Sequence, residues 1–114
     1  MSFKKNKYTI IKNAIKEDLA IFIANYFLLK RQVAKTFFDT GYISPFTNEW
    51  GVWSDSQVPN TYSHYSDIAM ETLLLLCQPI MEKATGLKLD PNYSYARIYK
   101  KGDVLKKHTD RFSC

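Results

Sequence analysis

Cysteine is nearly absent from this 114-residue chain: only Cys77 and Cys114 occur, one inside a helical pattern and one at the last position. Two thiols so placed give neither the framework of a disulfide-stapled domain nor the spaced clusters of a structural zinc site, so a reducing compartment is expected. Long apolar runs are missing too. The longest, Leu73–Cys77, falls far short of the roughly 20 residues that cross a bilayer. The opening Phe3-Lys4-Lys5-Asn6-Lys7 is too polar for the apolar core of a secretory signal. Internal repeats and low-complexity tracts are also lacking. The expectation from these absences is a soluble, cytoplasmic protein with no membrane partner.

What is present argues for a folded chain. Hydrophobic residues make up 46% and aromatic residues 15% of it, whereas disordered chains are poor in aromatics. The length is near the usual size of one domain, so residues 1–114 are expected to form a single unit. The net charge of +5 comes from 16 basic and 11 acidic residues. Six of the basic ones, Arg97, Lys100, Lys101, Lys106, Lys107 and Arg111, fall in the stretch 93–114. That local field suits an anionic ligand such as a dicarboxylate, or nucleic acid. A solvated strand face accounts for the same residues equally well.

Along the chain, Tyr8-Thr9-Ile10-Ile11 is a short β-branched run that predicts an edge strand. After Asn13 the period becomes helical. Ile15, Leu19, Phe22, Tyr26, Leu29, Val33 and Phe37 recur every three or four residues, which stacks them on one face of a long helix. Glu17 and Asp18 suit its start, Lys30, Arg31 and Lys35 its later turns, and Gly41 its end. Its aromatic stripe reads as core packing rather than a cofactor box. From 42 to 65 the period is lost among Pro45, Asn48, Gly51, Asp55, Pro59 and Asn60, yet the segment holds Tyr42, Phe46, Trp50, Trp53, Tyr62 and Tyr65. An aromatic loop of this length is either a lid or wall of a binding site, or an irregular segment whose rings cap the core. His64 lies within it and reads as a surface or hydrogen-bonded residue rather than a ligand. A second helix is expected from Ser66 as its cap, with Asp67 beside it. Its predicted buried stripe is Ala69, Leu73, Leu76, Ile80 and Ala84, with a kink at Pro79 and a stop at Gly86.

The chemistry-bearing stretch is 93–114, YSYARIYKKGDVLKKHTDRFSC. A strand over Tyr93–Lys100, a turn at Gly102-Asp103 and a second strand carrying His108-Thr109-Asp110 are predicted. Alternation on a strand puts His108 and Asp110 on one side. An imidazole beside a carboxylate supplies two of the three ligands of a 2-His-1-carboxylate iron site. Gly102 suits the unusual backbone angles of a turn, with Asp103 next to it. Strand, turn and strand would then return Tyr99 toward the ligands.

This Y-x-x-G-x-x-x-x-x-H-x-D pattern, Tyr99, Gly102, His108 and Asp110, resembles the start of the iron-binding core of the 2-oxoglutarate- and Fe(II)-dependent dioxygenases, in their prolyl 4-hydroxylase-like branch. Lys101 stands where proline is common there. The resemblance implies an α+β fold in which two N-terminal helices pack on the first strands of a truncated double-stranded β-helix, or jelly-roll. Residues 1–92 would be a helical support region containing the aromatic loop 42–65, and 93–114 the start of the β core. It further implies that His108 and Asp110 bind Fe(II), that Tyr99 lies near 2-oxoglutarate, and that O2 oxidises an unknown substrate with release of succinate and CO2. The family's second iron histidine and its 2-oxoglutarate-binding Arg or Lys have no counterpart in the sequence. Arg111 falls on the opposite strand face from His108 and Asp110, and His64 lies upstream, in the wrong order. The chain is therefore expected to be an incomplete oxygenase domain, inactive alone and completed by a missing C-terminal half. The alternative expectation is a small, non-enzymatic nucleic-acid-binding module, in which the basic hairpin over 100–107 acts with Tyr95 and Tyr99 as stacking surfaces.

Overall fold

A computed structural model describes residues 3–44, 49–53, 58 and 60–105. Their fold is α+β, with the order α1 (Phe3–Asn6), α2 (Glu17–Asp39), β1 (Tyr62–Tyr65), α3 (Ile68–Thr85) and β2 (Tyr95–Ile98). The two strands pair antiparallel, with Tyr62 opposite Ile98, Ser63 opposite Arg97, His64 opposite Ala96 and Tyr65 opposite Tyr95. On its other edge β1 bridges Val52, through Val52 N–H to the Ser63 carbonyl and Ser63 N–H to the Val52 carbonyl, both at 2.8 Å. β1 is thus a central strand whose two edges are both used.

The long helix forms where its period predicts it, and its ends follow local chemistry. Glu17 and Asp18 occupy the first turn, where the helix dipole favours negative charge. At the far end Gly41 adopts φ +71°. Its N–H donates to the Phe38 carbonyl at 3.1 Å, and the Tyr42 N–H donates to the Phe37 carbonyl at 2.8 Å. This is the paired hydrogen bonding of a Schellman motif, and the Tyr42 ring stacks on Phe37 at 5.3 Å as the accompanying apolar contact.

The inward face of α2 matches the predicted one only in part: Tyr26 and Phe37 of the predicted stripe are half-buried, and three others are exposed. Phe27 and Ala34 are buried, while Phe22 is 64% exposed and Leu29 60%. Val33, also in the predicted stripe, is exposed. The helix carries two apolar arcs, one through Ile23, Phe27, Ala34 and Phe38, the other through Ile21, Phe22, Leu28, Leu29 and Val33. Periodicity alone cannot choose between them. The first arc is the one that meets the aromatic rings of the following segment, with Phe38 edge-on to Trp53 at 5.8 Å.

Four further expectations are corrected. Tyr8–Ile11 is not a strand; Tyr8 and Ile10 are exposed, and β propensity without a partner strand makes no sheet. The cap of α3 is Asp67 rather than Ser66, its carboxylate accepting the Ala69 N–H at 2.8 Å; Ser66 has φ +55° instead. No residue of α3 is fully buried, and Leu76 in its predicted stripe is exposed. His64 belongs to β1 rather than to a loop. The helix does end at Gly86, which is left-handed at φ +73°, and it continues through Pro79.

The described part of 42–65 caps the core. Trp50 sits edge-on to Phe37 at 5.2 Å, and Trp53 lies 4.9 Å from Tyr62. Among the described residues, Phe27, Ala34, Val58 and Tyr62 are the buried apolar ones. The radius of gyration, 16.4 Å, exceeds the roughly 13 Å of a close-packed domain of this length. Much apolar helix surface accordingly faces solvent.

Candidate functional site

Beyond Ile98 the chain passes Tyr99 and turns. The Asp103 N–H donates to the Lys100 carbonyl at 3.0 Å, closing a four-residue turn with Gly102 third at φ +92°. A type II turn demands positive φ at that position. A Cβ there would meet nothing within 4 Å, so the backbone angle alone calls for glycine. The Asp103 carboxylate accepts the Lys100 N–H at 2.6 Å and the Thr61 hydroxyl at 3.1 Å. Those contacts, the Lys100 N–H first, hold the Asp103 carboxyl below its ordinary range. Lys100 Nζ donates to the Asn60 carbonyl at 2.9 Å, which ties the turn to the entry of β1.

Tyr99 is 47% exposed, and its hydroxyl accepts from Arg97 at 3.3 Å. The structure therefore places the predicted cofactor-binding tyrosine at the mouth of the predicted turn. His108 and Asp110, the predicted metal ligands, lie outside the described residues, as does Arg111. Residues 103–105 are not strand.

A second polar constellation joins α2 to the β1–α3 junction, and sequence reasoning missed it. The Asp67 carboxylate accepts from Lys30 Nζ, from the Tyr26 hydroxyl at 2.9 Å and from Ala69 N–H. Burial pushes the Asp67 carboxyl up, but the bonds from Lys30, Tyr26 and Ala69 and the lysine's charge outweigh it, and the net shift is downward. Burial and the bond to Asp67 push the Tyr26 phenol up. Lys30 Nζ also lies 5.6 Å from the ring centres of both Tyr26 and Trp50. The only sequence signal was the spacing of Tyr26 and Lys30, one helical turn apart on α2. Nothing local points to Asp67 as their partner, 41 and 37 residues away.

His64 completes this cluster. It is 6% exposed; Nε2 bonds the Glu49 carbonyl at 2.9 Å, and Nδ1 lies 3.8 Å from Asp67 Oδ2. An open cavity of about 460 Å³ borders the cluster, lined by Tyr26, Lys30, Glu49, Tyr65 and Ile68 among others. With three donors already on it, Asp67 works as a clamp between elements rather than as a free base. The expected hydrogen-bonded role of His64 is what the structure shows.

Among the described residues no group of three His, Cys, Asp or Glu side chains is placed to hold a metal. No described helix is long and apolar enough to cross a membrane. Compared with family models, with curated proteins and with solved structures, the chain finds no match in any of the three.

Proposed function

We propose that this chain supplies the opening part of a 2-oxoglutarate- and Fe(II)-dependent oxygenase, with its helices as the outer support of a double-stranded β-helix. The observation that carries the reading is the turn after β2. Tyr99 leads from the strand into a hydrogen-bonded turn with Gly102 at φ +92°, and this is the geometry that the Tyr-x-x-Gly spacing ahead of His108-x-Asp110 needs. The apolar residues left at the surface of α2 and α3 suit helices that lie against a larger β core.

The donor set fits the metal in kind. An imidazole and a carboxylate two residues apart are two ligands of the facial triad that serves Fe(II) oxygenases. His64 does not supply the third, because it is buried and bonded to the Glu49 carbonyl. A further histidine and a cation for the 2-oxoglutarate carboxylate are needed to complete the site. In this reading His108 and Asp110 hold Fe(II), which supplies the activation of O2 when bound. Tyr99 offers its phenol to 2-oxoglutarate, with Arg97 holding that hydroxyl in place.

The test measures conversion of 2-oxoglutarate to succinate by the product of the whole reading frame and by residues 1–114 alone, with Fe(II) and O2 supplied. The longer product is expected to turn over and the 114-residue chain to be inert. His108→Ala and Asp110→Ala, which remove ligands themselves, should each lower turnover by more than the roughly 10–100-fold that loss of an outer-shell partner costs. A longer product that is inert, with His108→Ala indistinguishable from it, would sink the reading.

A further inference from the structure

Directly opposed residues in a strand pair share a face. Tyr65 and Ser63 of β1 therefore lie on the same side as Tyr95 and Arg97 of β2. Tyr93 and Tyr99 extend the row at its two ends. The Tyr65 ring lies 4.4 Å from that of Tyr95 and 5.8 Å from that of Tyr93. The Arg97 guanidinium lies 5.1 Å from the Tyr95 ring centre and 5.8 Å from that of Tyr99, and it donates to both hydroxyls. Tyr65 is 58% exposed, Tyr93 42% and Tyr99 47%. The result is a row of rings fixed against one another, with Tyr65, Tyr93 and Tyr99 exposed and Tyr95 and Arg97 half-buried among them.

Among the described residues of 93–105, Arg97, Lys100 and Lys101 stand against one acid, Asp103. Asp103 is engaged by Lys100 and Thr61. Rings in a row favour planar partners that stack, and every nucleobase offers a π-face. A guanidinium between rings matches a chain in which phosphate alternates with base. An acidic peptide would satisfy the charge and leave the rings without planar partners. We propose that the Tyr65–Tyr93–Tyr95–Arg97 face is a docking shelf for single-stranded nucleic acid. For the oxygenase, this makes nucleic acid the substrate class, a step that rests on the function proposed above.

The experiment is fluorescence anisotropy of the chain with a labelled single-stranded thymidine 12-mer, without Fe(II) or 2-oxoglutarate. Saturable binding that weakens as salt rises is expected, along with a loss of affinity on the order of tenfold in Tyr65→Ala and in Tyr93→Ala. Tyr65→Phe, which keeps the ring, should bind like the parent. Circular dichroism checks the fold of each variant; if Tyr65→Ala unfolds, Tyr93→Ala, which lies outside both strands, carries the test. The proposal is overturned by an unchanged anisotropy at low salt. It is equally overturned by equal affinity for an abasic 12-mer, by polyglutamate competing as well as the oligonucleotide, or by folded alanine variants of undiminished affinity. Because no turnover is read, an inert oxygenase leaves this result standing, and absent binding leaves the oxygenase reading intact.

Discussion

On one side of the β1–β2 ribbon Tyr62 and His64 are 1% and 6% exposed; on the other, Tyr65 is 58% exposed beside Tyr93 and Tyr95. The strands are the same, and so is the residue chemistry, tyrosine above all. What differs is what each hydroxyl or ring nitrogen bonds. The Tyr62 hydroxyl donates to the Trp50 carbonyl at 2.6 Å, and His64 bonds the Glu49 carbonyl. On the outward side Arg97 donates to the hydroxyls of Tyr95 and of the exposed Tyr99. The inward side spends its polar groups on fixing β1 against the 49–53 segment and α2. The outward side holds its rings in order without covering them.

Substitutions that break the inward side should cost most. Asp67→Ala strands Lys30, whose side chain is only 14% exposed, and removes the cap of α3. A loss of about 3 kcal/mol in unfolding free energy is expected by urea denaturation. Acid sharpens the same point. The Asp67 carboxyl is held below its ordinary 3.8 in the fold, so its stabilising share is whole above that value and is lost as pH falls through the folded pKa. Stability of the parent should drop below pH 3.8, and Asp67→Asn should show a shallower drop over the same interval.

Gly51→Ala comes next. Gly51 has φ +98°, and a Cβ there would lie 2.6 Å from Cζ of Tyr62. The backbone strain alone is about 1–3 kcal/mol, and the ring must move besides, which should also shift tryptophan emission from Trp50 and Trp53. The outward side should yield least. Tyr65→Ala removes one cross-strand aromatic pair, about 0.2–1 kcal/mol. A Tyr65→Ala loss as large as that of Asp67→Ala would erase the contrast between the two sides.

The sequence announced the elements better than their contacts. Two long helices, the strand before Gly102, and the stops at Gly41 and Gly86 all follow from spacing and from glycine's tolerance of positive φ. The burial of Phe27 rather than Phe22 and Leu29 was illegible, because all three are equally apolar and only tertiary contacts such as that of Phe38 with Trp53 decide between the arcs. The Tyr26–Lys30–Asp67 clamp was illegible for a related reason. Its partners are far apart in sequence, and each has an ordinary local role, two as helix residues and one as a cap. The tyrosine row was half legible: Tyr95 and Tyr99 stand beside the basic turn in one stretch of sequence, while Tyr65 joins them only through strand register.

The outer arc of α2, with Ile21, Phe22, Leu28, Leu29 and Val33 at the surface, bears on the thermodynamics of the chain. Apolar area already hydrated in the native state adds nothing to the heat capacity gained on unfolding. That gain, ordinarily about 12–15 cal/mol/K per residue, should therefore be low here. The stability curve flattens accordingly. Heating and cooling would each erode this fold gradually, and whatever later covers that arc would steepen the curve as it adds stability.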